Sequence, residues 1–203
     1  MTVWNWRVTF TMRNSYIKIS LNDKNEFRTQ ADFRLFGVNY EKIDVKIDTG
    51  CPQTTILTQK LGIPAEHSAI LKQLDIDNPS IKKSPTFGVN DSKEFKDKVK
   101  KQFRNGIYVG TSAISFTHFV DRLKICGVYV NIEKVKVNYD RIGNILIGMD
   151  IMKHWDIHIG KATTGETIFL ACPQEQLNEE YFAELNRLFD IRNNINIAKK
   201  STN

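Results

Sequence analysis

The sequence predicts a mainly β protein with added helices. Several short runs alternate apolar with polar residues or are rich in β-branched and aromatic residues, as between Ile107 and Val137, and turn residues separate them. Apolar residues at helical spacing are found in segments that begin near Pro64, Asp91 and Asn178. We therefore expect strands to form the framework and the helices to be inserted into it or added after it.

The composition is that of an ordinary soluble globular protein. Hydrophobic residues make up 41% of the 203-residue chain, and no apolar run approaches the ~20 residues of a membrane span. The amino terminus lacks the apolar core of a signal peptide, so we expect a cytoplasmic protein with no membrane partner. The cysteines form no close pair, and His154 and His158, although four residues apart, have no accompanying Glu motif. The sequence therefore predicts no disulfide framework, no metal and no cofactor.

The net charge of +6 comes mainly from the segment Lys82–Arg104, which has eight basic and three acidic residues. Such a segment could hold nucleic acid or an acidic peptide, but it more often forms the solvated face of a helix. The sequence has no nucleic-acid-binding motif. We therefore do not expect nucleic acid as a partner.

The first quarter of the chain is predicted to be β. Residues 1–30 contain one or two strands. Phe33–Lys42 contains a strand and a turn at Gly37, and it forms a hairpin with the alternating strand Ile43–Ile47. A further short strand is expected at Thr54–Leu57.

Two helices are predicted next. The first, Pro64–Leu74, has Pro64 in its first turn. Its apolar positions are Ala65, Ala69 and Leu71. The second is capped by Asp91 or Ser92 and ends at Asn105-Gly106. Its apolar positions, four residues apart, are Phe95, Val99 and Phe103.

The remainder of the chain returns to strands and closes with a helix. A short helix is expected at Asp150–Trp155, followed by a hairpin whose strands flank Gly160 and Gly165. The last helix begins at Asn178, with a frayed tail after it. Its apolar stripe, which we expect to pack on the core, is Tyr181, Leu185 and Leu188.

The strand Ile43–Ile47 leads directly into Asp48-Thr49-Gly50. The apolar strand delivers a carboxylate to a rigid end, Gly50 permits a sharp turn, and the hydroxyl of Thr49 can fix the turn. A carboxylate held in this way can have a perturbed pKa and act as a general acid or base. Because Asp and Gly are also common turn residues, the alternative interpretation of the tripeptide is an ordinary turn at the end of a strand.

A second apolar strand, Asn144–Ile147, ends in Gly148 and is followed by a helix start. With Asp48-Thr49-Gly50, this stretch resembles the retropepsin-like aspartic peptidases, in which a hydrophobic-hydrophobic-Gly strand passes beside the catalytic turn and leads into a short helix. The resemblance places Ile147 and Gly148 beside the site. Asp150, after the glycine, is expected to have a capping or solvated role.

The resemblance implies half of an acid-protease β-barrel, closed as a homodimer. The retropepsin-like domain would span 31–175, with 1–30 as extension strands, a helical insertion at about 60–105, and 176–203 as a C-terminal helix and tail. The family's flap, a hairpin that closes over bound substrate, is expected at Gly110, Thr111, Ser112 and Ala113, with Phe87-Gly88-Val89 as the alternative tip.

Peptide hydrolysis by carboxylates requires two of them around one water, one ionised and one protonated. The chain has one Asp-Thr-Gly, so the resemblance implies that Asp48 from each of two subunits meets at a two-fold axis. The expected function is an aspartic endopeptidase with a peptide or protein substrate. The alternative, from another class, is a non-catalytic module of the same fold for dimerisation or peptide binding.

Overall fold

The computed structural model describes residues 15–88, 90–108, 113–132 and 134–190. In chain order the strands are β1 Ile17–Ser20, β2 Phe27–Leu35, β3 Val38–Ile47, β4 Thr55–Leu57, β5 Lys83–Pro85, β6 Ile114–Phe119, β7 Asp121–Ile125, β8 Val128–Tyr129, β9 Lys134–Asn138, β10 Ile145–Ile147, β11 Trp155–Lys161 and β12 Thr167–Pro173. The α-helices are α1 Ala65–Asp77, α2 Lys93–Arg104, α3 Met149–Met152 and α4 Glu179–Phe189. The mainly β class with added helices is therefore confirmed for this part of the chain.

The strands form two sheets. The large sheet has nine strands in the order β5-β6-β9-β4-β10-β3-β2-β7-β8, and the small one has three in the order β1-β12-β11. None of the described helices is long and apolar enough to cross a bilayer.

The β2–β3 hairpin supports the strand that ends at Asp48. Leu35 pairs with Val38, and both turn residues have positive φ, 53° at Phe36 and 77° at Gly37. Two such residues form the tight turn whose twist suits a two-residue hairpin. The hairpin predicted around Gly37 is confirmed, although β2 begins at Phe27 and so crosses the boundary expected between residues 30 and 31.

The centre of the large sheet brings distant parts of the chain together. β3 is parallel to β10, β10 is antiparallel to β4, and β4 is parallel to β9. Ile147 lies opposite Ile47, so the ends of β3 and β10 are neighbours. The strand with Gly148 therefore passes beside the strand with Asp48, as expected.

The small sheet lies between two hydrophobic clusters. Its residues Ile17, Phe169 and Ala171 belong to the main core, whereas Leu170 and Cys172 belong to a second cluster. The second cluster also contains the three stripe residues of α4, namely Tyr181, Leu185 and Leu188. The predicted packing of this helix is confirmed, and Asn178 caps it by accepting a hydrogen bond from the N–H of Tyr181.

Helix α1 forms where it was expected, but its fully buried residues are polar. Ala65 and Ala69 are exposed, whereas Ser68 and Asp75 are buried. The Asp75 carboxylate accepts a hydrogen bond from the hydroxyl of Tyr139 at 2.6 Å. Leu71 is partly buried and packs against the main core, as predicted. The prediction was wrong for the two alanines, because hydrogen bonds to the large sheet, which helical periodicity does not record, help to determine which side of α1 faces inward.

Two boundaries near the site also differ from expectation. Helix α3 ends at Met152, so Trp155 belongs to β11 and not to the helix. β11 continues through Gly160 to Lys161, so Gly160 lies within the strand and only Gly165 lies in the hairpin turn. The predicted terminal hairpin itself is confirmed by the antiparallel pairing of β11 with β12.

Candidate active site

Asp48 lies directly after β3 and is held against β10. Val45 and Ile47 are buried and anchor the end of the strand in the core. The N–H of Asp48 donates to the carbonyl of Ile147 at 3.0 Å. The residue is thus fixed by the sheet through its backbone, while its side chain is partly exposed.

The Asp-Thr-Gly turn orients the carboxylate of Asp48. Its Oδ1 accepts a hydrogen bond from the N–H of Gly50 at 3.0 Å, and its carbonyl accepts one from the N–H of Cys51 at 3.0 Å. A Cβ on residue 50 would lie 3.3 Å from Oδ1, so glycine leaves room for this contact. Within the described residues, Oδ2 accepts no hydrogen bond, which leaves it available to a water or a substrate.

The loop that follows Asp48 approaches Gly148 so closely that a glycine is required there. A Cβ on residue 148 would lie 2.6 Å from the backbone carbon of Gln53 and 2.9 Å from the carbonyl oxygen of Cys51. The same carbonyl accepts a hydrogen bond from the N–H of Met149 at 2.8 Å. The glycine at the end of β10 therefore allows the loop after Asp48 to pack directly on the start of α3.

Thr54 and Asp150 connect this loop to α3, and sequence reasoning missed their pairing. Thr54 is 1% exposed, and its hydroxyl accepts a hydrogen bond from the N–H of Gly148 at 3.0 Å. The same hydroxyl donates to Asp150 at 2.8 Å. Asp150 was expected to have a capping or solvated role. Its partner is separated by 96 positions, and the one signal in the sequence was an acidic residue in the first turn of a helix.

Cys51 is unsuited to act as a nucleophile. Its thiol donates to the carbonyl of Gln53 at 3.0 Å. Burial raises the pKa of Cys51, and the nearby Asp48 and Asp150 raise it further. Because the thiolate is the reactive form, these surroundings keep Cys51 as a packed thiol.

Thr49 lies on the surface of this single chain. It is exposed, and its hydroxyl has no hydrogen-bond partner among the residues that the structure describes. No hydrogen bond or ion pair joins Asp48 to a second carboxylate within the described ranges. One chain therefore presents one oriented carboxylate and, beside it, an unengaged hydroxyl.

Gly110, Thr111 and Ser112, the expected flap residues, lie outside the described residues. Ala113 is buried directly before β6, and its carbonyl accepts a hydrogen bond from the N–H of Thr86 at 2.7 Å. β5 and β6 form an antiparallel pair whose long connection contains α2. Gly88 of the alternative tip lies in this connection, whereas Val89 lies outside the described residues.

The connection is attached to the loop that precedes β10. Asp91, just before α2, accepts hydrogen bonds from the N–H of Gly88 at 2.5 Å and from the guanidinium of Arg141 at 2.9 Å. The Gly88 N–H lowers the pKa of Asp91, and Arg141 lowers it further. Ser92 caps α2, as one of the two predicted candidates, by accepting from the N–H of Phe95.

The structure thus brings together five of the predicted site residues, Asp48, Thr49, Gly50, Ile147 and Gly148, at the ends of two parallel strands. The structure adds Thr54 and Asp150, whose hydrogen bonds hold the loop after Asp48 against the start of α3. No protein-family model, curated protein sequence or solved structure matches this chain.

Proposed function

We propose that this chain is an aspartic endopeptidase of the retropepsin-like type that hydrolyses peptide bonds as a homodimer. The observation that carries the proposal is the carboxylate of Asp48, which is oriented by Gly50 at the end of a buried strand while Oδ2 is left unengaged. A purely structural strand end has no need of a fixed acidic group beside the core.

The chemistry requires a second carboxylate, which we assign to Asp48 of the second subunit. Two carboxylates that face each other at about 3 Å share one proton, because both cannot be ionised at once. The ionised member takes a proton from a water molecule as that water attacks the peptide carbonyl. The protonated member donates a hydrogen bond to the carbonyl oxygen, stabilises the tetrahedral intermediate and supplies the proton for the leaving amine.

The exposed hydroxyl of Thr49 supports this dimer. In the resembled family the corresponding hydroxyl braces the two catalytic turns against each other, and in this chain it has no partner among the described residues. Gly148, Thr54 and Asp150 would keep the loop in place without touching substrate. In this arrangement they are positioning residues, and Asp48 is the catalytic one.

A comparison of two asparagine variants tests the proposal. Asp48→Asn should lower peptide cleavage by at least ~100-fold, because it removes the shared-proton pair with almost no change in volume. Asp121→Asn, an equal change at an exposed position of β7, should leave cleavage unchanged. Both are assayed on a diverse peptide mixture by mass spectrometry, with circular dichroism to confirm folding.

Equal cleavage by Asp48→Asn and the unchanged protein would overturn the proposal. If the unchanged protein binds peptides and cleaves none of them, the same fold serves as the non-catalytic binding module.

A further inference from the structure

A cleft of about 540 Å³ lies beside the loop that follows Asp48. Its lining consists of Gln53, Asp150 and residues of β6, of β9 and of the segment that precedes β5. The basic side chains in its lining, apart from one histidine, are Lys82, Lys134 and Lys136. This cleft is separate from the carboxylate of Asp48 but continuous with the loop that holds it.

Lys136 places a buried cation in this cleft. It lies in β9 opposite Thr117 of β6 and is 8% exposed. Its ammonium group donates to the hydroxyls of Ser84 and Thr117. Burial lowers the pKa of Lys136, and the nearby charge of Lys82 lowers it further. A charged group that is desolvated without a counter-ion is costly, and an anion in the cleft would remove that cost.

The basic side chains of the cleft outnumber the acidic ones, because three lysines and one carboxylate line it. None of the three lysines lies within ion-pair distance of a carboxylate there, and Lys134 is placed 5.0 Å from the ring centre of Phe119. His118, which also lines the cleft, is paired with Asp75. Asp150 is the one acid in the lining, and its oxygens already accept hydrogen bonds from the backbone and hydroxyl of Thr54.

We infer that this cleft is a subsite for an acidic side chain, Asp or Glu, of the peptide substrate. The inference rests on the proposed function. Gln53 follows Asp48 by five positions, so the cleft lies at most about 18 Å from the carboxylate along the chain. An extended peptide covers that distance with about five residues, so the acidic residue falls within about five positions of the scissile bond.

The test uses peptides that carry one Glu, moved through these positions on each side of the scissile bond, each with a Gln counterpart. We expect kcat/KM to be about tenfold higher for Glu than for Gln at one position, with a smaller ratio at high salt. Lys136→Met, which keeps the apolar stem, and the double variant Lys82→Gln/Lys134→Gln should each reduce this ratio to near one. Lys161→Gln, which removes one charge as Lys136→Met does but at the far end of β11, should leave the ratio intact.

The outcomes separate this inference from the proposed function. If the peptides are cleaved without any preference for Glu, or the preference survives in the lysine variants, the subsite is overturned and the peptidase stands. If no peptide is cleaved, the same pairs are compared by fluorescence anisotropy for binding to Asp48→Asn. Tighter binding of a Glu peptide that depends on the lysines supports the subsite, and equal binding overturns it. The double variant, altered only at exposed positions, decides the matter if Lys136→Met does not fold.

Discussion

The carboxylate of Asp150 accepts hydrogen bonds from both the backbone N–H of Thr54, at 2.8 Å, and its hydroxyl, at 2.8 Å. These contacts close the loop that begins at Asp48 onto the start of α3. The hydroxyl of Thr54 also accepts a hydrogen bond from the N–H of Gly148. One side chain therefore connects the loop after β3 to the end of β10. The geometry of the candidate site therefore depends on a residue that contacts no substrate in the proposed mechanism.

Thr54→Val should destabilise the protein by about 1–3 kcal/mol, because the buried N–H of Gly148 would lose its acceptor. Thr54→Ser, which keeps the hydroxyl, should retain most of the stability. Thr55→Val is the control, since the hydroxyl of the partly buried Thr55 donates to the carbonyl of the exposed Gln53. Urea unfolding measures the free energies, and equal losses for Thr54→Val and Thr54→Ser would contradict the role given to the hydroxyl.

Gly148→Ala should cost about 3 kcal/mol, because the new Cβ would lie 2.6 Å from the backbone carbon of Gln53. Backbone atoms on a loop fixed at both ends cannot move aside as a side chain does. Gly160→Ala is the comparison, since its Cβ would meet the ring of Phe189 at 3.3 Å and a ring can shift. We expect a loss below about 1 kcal/mol there, and thermal unfolding of both variants decides whether the difference exists.

Dilution and mixing test the requirement for two subunits. The specific activity should fall as the protein is diluted through its dimer dissociation range. In an equal mixture with Asp48→Asn, random pairing would place about half of the unchanged subunits in mixed dimers, so activity per unchanged subunit should fall to about half. An equal mixture of the unchanged protein with Asp121→Asn should lose no activity per unchanged subunit. Constant specific activity for a demonstrated monomer would refute the half-site arrangement.

Local patterns predicted the secondary-structure elements better than the contacts between them. The hairpin at Gly37, the helix capped by Ser92 and the buried stripe of α4 each depend on neighbours in sequence, so periodicity and turn residues were sufficient. The motif also predicted correctly that the strands with Asp48 and Gly148 are adjacent.

The sequence patterns did not predict the long-range polar contacts. Asp75 and Tyr139, which turn the polar side of α1 inward, are separated by 64 positions, and no local pattern joins them. Thr54 and Asp150 are likewise far apart in sequence, by 96 positions, and no local pattern joins them. Lys136 would be expected to be exposed from its residue type, and only the pairing of β9 with both β4 and β6 explains its burial.

The contact between Asp91 and Arg141 should control how firmly the β5–β6 connection is held. Arg141→Gln removes the guanidinium, and we expect trypsin to cut within α2 several-fold faster because the connection opens more often. Lys98→Gln, an exposed change within α2, should not accelerate cleavage at the remaining sites. Digestion is followed by mass spectrometry at low enzyme concentration. Unchanged rates for Arg141→Gln would mean that the contact does not restrain this segment.

Glu184 makes the attachment of α4 to β1 dependent on pH. It contacts Lys18 of β1 at 3.0 Å and Arg187 at 2.6 Å. Hydrogen bonds from Arg187 and then Lys18 lower the pKa of Glu184 to about 2, against partial burial. Because the folded-state pKa lies below the unfolded one, the stabilisation is present above the ordinary pKa of 4.5 and is lost as the pH falls toward about 2.

Glu184→Gln should therefore lower the free energy of unfolding at neutral pH by about 1–2 kcal/mol. This is less than the pKa shift of Glu184 alone would imply, because Lys18 and Arg187 are partly exposed and solvent screens their charges. The difference from the unchanged protein should shrink between about pH 5 and pH 3, where the unchanged protein progressively loses the same stabilisation. Glu41→Gln, at an exposed position of β3, should show no such difference at any pH. Urea unfolding across this pH range measures these free energies. If the free-energy difference between Glu184→Gln and the unchanged protein stays constant down to pH 3, packing and not the charge of Glu184 holds α4 in place.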